Sequence, residues 1–237
     1  MSDSLENQLA SVKVQLLTFL GSKAITPLSI GQNCNTAWYL QQAGVKQFSG
    51  PFDWMFSSAD ILKSCLEDGF ATFLNKELIY PIKGGAAAGH KIYHSSMFNH
   101  RNPLASDEDY NYHVRCVSRF LAAIRNADVP LFICSLVNEP EKRVGWAKGF
   151  NADFSVPLNQ SFETYRDCMD CILAENSAAK FIFIDQYTDQ SLSISADVPE
   201  QNVFAIKLVS SGRNTGVHYI QPEDNAVAIE LYKSFLS

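Results

Sequence analysis

Apolar positions along the chain follow two rhythms. Leu5, Leu9, Val12, Leu16 and Leu20 recur at helical spacing, so residues 1–22 read as an amphipathic helix packed on the remainder. The same period returns in 35–43, closed by Gly44, and in 58–75, where Ile61, Leu62, Cys65, Leu66, Phe70, Phe73 and Leu74 form one stripe. It recurs in 112–126, 161–176 and 224–236. Between these segments lie short, unbroken apolar runs at 28–31, 129–137, 181–185 and 203–209. Runs of strand length that alternate with helices predict a mostly parallel sheet buried on both faces. The expected fold class is therefore α/β, a three-layer α/β/α arrangement forming one domain over 1–237. A helical or irregular insertion is expected around 50–110. Within it, 83–89 (KGGAAAG) reads as a loop and 91–98 as a strand.

Composition narrows the partners. Nineteen Lys and Arg against 25 Asp and Glu give a net charge of −6 in 237 residues. No basic run marks a nucleic-acid or anionic-membrane surface, and no apolar stretch approaches the ~18 residues of a membrane span. The acidic N-terminal segment lacks the pattern of a signal peptide. Six cysteines scattered over the chain read as reduced thiols, which places the protein in the cytoplasm. The expected partner is a small-molecule, peptide or glycan substrate, with no nucleic acid and no membrane.

The sharpest local feature is Ser29-Ile30-Gly31-Gln32-Asn33-Cys34, which joins the first apolar run to a helix. A thiol at a helix N-terminus meets unsatisfied backbone N–H groups and the positive end of the helix dipole, and both favour thiolate. The same N–H groups can hold the oxyanion formed when a thiol attacks an acyl carbon. The plainer reading makes Cys34 a small buried hydrophobe.

The set G-Q-N-C (31–34), P-F-D-W (51–54), F-N-H (98–100) and R-C-V-S-R-F (115–120) resembles an uncharacterised bacterial family labelled papain-like cysteine peptidases, over about residues 28–137. The resemblance implies Cys34 as nucleophile and His100 as its base. The family carries an acid after that histidine, where this chain has Arg101. Residues 215–229 (TGVHYIQPEDNAVAI) are similar to the closing block of SGNH/GDSL hydrolases, in which D-x-x-H supplies the base. His218 matches that His, Thr215 stands at the Asp position, and Asn138 after the run 129–137 matches the oxyanion Asn. The strand order read from the sequence fits this SGNH/flavodoxin-like scaffold better than a papain fold. In a parallel sheet a residue just after a buried strand reaches the carboxyl edge, so His218 ranks above His100 as the expected base.

Other groups have assigned roles in this reading. Asn33 and Asn138 steady the oxyanion. Asp53 orients a histidine, or caps the helix that begins near Ser57. Arg115 and Arg119, at i and i+4, present two guanidinium groups to a carboxylate or phosphate. His90, His94, His100 and His113 lack the spacing of a zinc site, so no metal and no cofactor is expected. Cys168 and Cys171 form a C-x-x-C inside a helix and read as core thiols, and no cysteine pair is expected to be oxidised. Residues 83–89 lack the Lys-Ser/Thr ending of a phosphate loop and read as a lid, and 139–160 is long for a loop.

The leading expectation is a cysteine hydrolase or acyltransferase of peptidase, amidase or esterase type. The alternative is a non-catalytic binding or polysaccharide-pathway accessory domain on an SGNH-like scaffold. An esterase using Ser29 is a weaker third reading, because Ser29 lies inside the first strand.

Overall fold

Residues 3–137, 160–188 and 191–236 are described by the computed structural model of the chain. They begin with α1 (Asp3–Leu20), β1 (Ile25–Ser29), α2 (Asn35–Gln42) and α3 (Ala59–Glu67). A small hairpin follows, β2 (Ile79–Ile82) and β3 (Ala87–His90), and then α4 (Asp107–Asn126) and β4 (Val129–Val137). The last third holds α5 (Arg166–Glu175), β5 (Lys180–Thr188), β6 (Ser193–Glu200), β7 (Val203–Ser210) and α6 (Pro222–Lys233). The main sheet has the order β1-β4-β5-β7-β6, parallel throughout except for β6, which runs antiparallel to β7.

Both faces of this sheet are covered, which is why its inner strands are apolar without alternation. Phe132, Cys134, Phe181 and Phe183 point into one buried cluster with residues of α3, α4 and α5. Leu131, Ile133, Ile182 and Ile184 point into the other, with residues of α1, α2 and α6. The α1 stripe expected from the sequence is buried as a unit, Leu5 through Leu20. The fold is thus mixed α/β, with helices on both sides of a mostly parallel five-stranded sheet. One feature differs from the flavodoxin-like order, which sets the first strand inside the sheet: here β1 is an edge strand.

Other departures have local causes. β6 is not foreseen, because an edge strand with one solvated face carries the mixed sequence SISADVPE; a register shift between Asp197 and Glu200 disrupts its pairing. The 58–75 helix stops at Glu67, since Gly69 and Phe70 both take positive φ (61° and 67°) and turn the chain. Phe70 and Phe73 still reach the core from the turns beyond, so the apolar period outlasts the helix. The strand expected at 91–98 is instead a set of turns, and the strand lies earlier, inside the small-residue run read as a loop. Ala87 and Ala88 in β3 are buried, and a Cβ on Gly89 would stand 2.5 Å from the Tyr80 ring.

The entry to α3 is fixed by Ser58, whose Oγ accepts the Ile61 N–H at 3.4 Å. The cap expected from Asp53 is therefore supplied elsewhere. Ser58→Ala removes one acceptor for an otherwise orphaned N–H, and a loss of ~1 kcal/mol in urea unfolding is expected.

Candidate active site

The turn after β1 is tied to the carboxyl ends of three other strands. Ile30 N–H donates to Ile133 O at 3.0 Å, carrying the β1–β4 pairing one residue beyond the strand. Gln32 Oε1 accepts the N–H of Val137, the last residue of β4, at 2.9 Å. Asn35 Oδ1 accepts from Gln186 Nε2 of β5 at 2.9 Å, and Gln186 Oε1 accepts from Asn214 Nδ2, beyond β7, at 2.8 Å. Gly31 is required here, because a Cβ would lie 2.7 Å from Thr36 Oγ1. Cys34 therefore stands at the N-cap of α2, on the carboxyl edge of the sheet, where the sequence places it.

His100 reaches the same place by another route. Phe98 exchanges both backbone hydrogen bonds with Ala88 of β3, at 2.9 and 3.1 Å, so the hairpin fixes the approach of residues 98–100. Arg101 O is held by His113 Nε2 of α4 at 3.2 Å. The result is a separation of 3.6 Å between Cys34 Sγ and His100 Nε2. The Trp54 indole meets the His100 ring edge-on, with centroids 6.5 Å apart. Among the described residues His100 has no carboxylate partner.

Burial reverses the expected electrostatics of the thiol. Cys34 is 4% exposed, and desolvation pushes its thiol up to about 12; a bond from its own backbone N–H opposes the shift and the Asp53 carboxylate adds to it. The dipole of an eight-residue helix does not outweigh this, so the free site holds a neutral thiol rather than the expected thiolate. Desolvation also lowers the His100 imidazole below its ordinary value, and the Lys83 ammonium lowers it further. Both members of the pair are neutral at pH 7. Lys83→Met removes the cation but not the burial, so the His100 pKa is expected to rise; imidazole shifts followed by NMR against pH test this.

The other expected site residues are distributed as follows. His218 packs its ring on Trp38 of α2 at 5.0 Å between centroids, and its Nδ1 faces Tyr219 O at 2.8 Å. Thr215 Oγ1 donates to His218 O, not to the imidazole. Asp53 pairs with Lys46 at 2.7 Å and accepts the Gly50 N–H at 2.9 Å; burial pushes its carboxyl upward against the pull of Lys46. It orients no histidine. Arg115 and Arg119 are exposed on α4, and Asn138 lies outside the described residues. His90 Nε2 bonds Thr72 O and His94 Nε2 bonds Phe56 O, at 3.1 and 3.0 Å, which makes them structural. Among the described residues no group of metal-ligating side chains forms, all six cysteines are free, and no helix is long and apolar enough to cross a membrane.

Asn33 is among the residues expected at the oxyanion, whereas its neighbour Gln32 is not. Gln32 is fully buried, and among the described residues its Nε2 has no hydrogen-bond partner; the same holds for the buried Asn33 Nδ2, beside it in the turn. Asn33 Oδ1 is occupied by the Asn35 N–H at 2.9 Å, so only its amide nitrogen is free to donate. Two spare donors directly precede Cys34 in sequence. The signal was present in G-Q-N-C itself, as two amides immediately before a cysteine.

Residues 26–142 match the family described as "Putative papain-like cysteine peptidase". That span covers Cys34, the P-F-D-W segment and His100, and ends before the block containing His218. No curated protein and no solved structure matches the chain.

Proposed function

We propose that this protein is a cysteine hydrolase acting on an amide or ester carbonyl, with Cys34 as nucleophile and His100 as base. The observation that carries the reading is the 3.6 Å approach of Sγ to Nε2, between residues drawn from separate parts of the fold. Because the thiol is neutral, its proton passes to His100 Nε2 as the Sγ–C bond forms and the carbonyl oxygen becomes an oxyanion. The Gln32 and Asn33 amides are the donors offered to that oxygen. The C–N or C–O bond then breaks, His100 returns the proton to the leaving group, and a thioester on Cys34 remains. Water, deprotonated by His100, releases the acid and regenerates the thiol. An amine or alcohol in place of that water would make the same site an acyltransferase. A peptide, small-molecule or glycan-linked acyl group supplies the substrate carbonyl, and no cofactor enters any step.

The raised thiol pKa and 4% exposure of Cys34 favour a second reading, a binding domain that retains the site without turnover. Mass spectrometry after incubation with p-nitrophenyl acetate separates the two. An acetyl group confined to Cys34, decaying with time and absent from Cys34→Ser, is the expected result. No adduct on Cys34 in the folded protein, with all six cysteines reacting after unfolding, would leave the binding reading in its place.

A further inference from the structure

A pocket of about 190 Å³ opens beside His100, walled by Trp54, Met55, Met97, Phe98 and Tyr112. An apolar cavity of about 150 Å³ is enough to bind benzene, whereas drug-sized ligands occupy pockets upward of about 300 Å³. The space therefore matches one ring or one branched alkyl group. Its walls are aromatic faces and thioethers, and the two methionines can adjust to either shape.

The charges within its lining are already matched. Arg101 lines the pocket, but its guanidinium is bound to Asp109 at 2.5 Å, lies 3.8 Å from Glu108 and stacks over the Tyr112 ring at 4.2 Å. His113, also in the wall, bonds Arg101 O through Nε2, and burial lowers it to about 4, so it is neutral at pH 7. Asp53 is not part of the lining, and its charge is met by Lys46. A cationic group would find no free anion in the lining, and the lining's guanidinium is already held by Asp109; Lys83 acts on His100 from outside the lining and is bonded to Asn99 Oδ1.

We infer that this pocket receives a single uncharged aromatic ring or branched aliphatic group of the ligand, and holds it against the imidazole that serves Cys34. The assignment of that imidazole rests on the proposed function; the pocket's preference for a neutral apolar group does not.

The chain has four methionines, of which Met55 and Met97 line the pocket and Met169 does not. In protein labelled with ¹³C at the methionine methyls, toluene is expected to shift Met55 and Met97 saturably and to leave Met169 in place. Benzoate and benzylammonium should bind at least about tenfold more weakly, since each brings an uncompensated charge into an apolar space. Unmoved Met55 and Met97 methyls at toluene saturation, or equal binding of the charged rings, would overturn the inference. The link to Cys34 is read by alkylation: N-benzyl iodoacetamide should modify Cys34 at least about tenfold faster than iodoacetamide, and Trp54→Ala should remove most of that gain. No gain from the benzyl group would overturn the placement against the imidazole that serves Cys34. Persistence of the toluene shifts in a protein whose Cys34 takes no acyl group would sink the hydrolase reading and leave the pocket standing.

Discussion

His100→Ala is expected to slow acylation of Cys34 by about 10²- to 10⁴-fold, whereas His218→Ala leaves it near the wild-type rate. The size of the first effect follows from the state of the thiol. With its pKa pushed to about 12, Cys34 holds almost no thiolate at neutral pH, so attack depends on a base that takes the proton during the step. His100 Nε2 is 3.6 Å from Sγ, and its lowered pKa keeps the imidazole unprotonated and able to accept. The sign for pH follows directly. Protonation of His100 abolishes the base, so the acid limb of the acylation rate should fall below the ordinary imidazole value of about 6.5. Alkylation of Cys34 in His100→Ala should instead climb with pH beyond 9 without a plateau. Stopped-flow acylation of the two variants across pH makes the comparison. A strong loss in His218→Ala with a normal His100→Ala would return the base to the C-terminal block.

The difference between these two histidines shows what the sequence carries and what it does not. β4, β5 and β7 are legible as apolar runs because both faces of the sheet are covered, and that pattern places Cys34 and the 215–229 block at one edge. His100 arrives through the 50–110 insertion, whose guiding strand β3 is written as Ala-Ala-Gly-His. Small residues carry no strand signal, and Gly89 is there because Tyr80 and Ser95 crowd its α-carbon. The thiol follows the same logic. The helix start that favours thiolate is visible locally, but the desolvation that outweighs it comes from residues distant in sequence. Asp53 reads as a catalytic orienter until the fold brings Lys46 to it at 2.7 Å.

Gln32→Met is expected to lower the acylation rate of Cys34 by about 10²- to 10³-fold while leaving its alkylation by iodoacetamide nearly unchanged. Gln32 is fully buried, and its two amide atoms are used unequally: Oε1 accepts the Val137 N–H, while Nε2 has no acceptor among the described residues. An unsatisfied buried donor costs about 1–3 kcal/mol, which a turn fixed at three strand ends can sustain. Methionine keeps the length and neutrality of the side chain but removes the amide donor, together with the acceptor for Val137, and sets no new charge beside the thiol. Acylation builds negative charge on a carbonyl oxygen and needs that donor; alkylation displaces iodide, builds no oxyanion, and does not. The ratio of the two rates therefore isolates oxyanion stabilisation from activation of the thiol. Asn33→Ser applies the same test to the second amide, since a hydroxyl can accept the Asn35 N–H in place of Oδ1. If both rates fall together in Gln32→Met, the amide supports the thiol or the fold. Were neither rate to change in either variant, the oxyanion would have to be met elsewhere, and the roles given to Gln32 and Asn33 would be withdrawn.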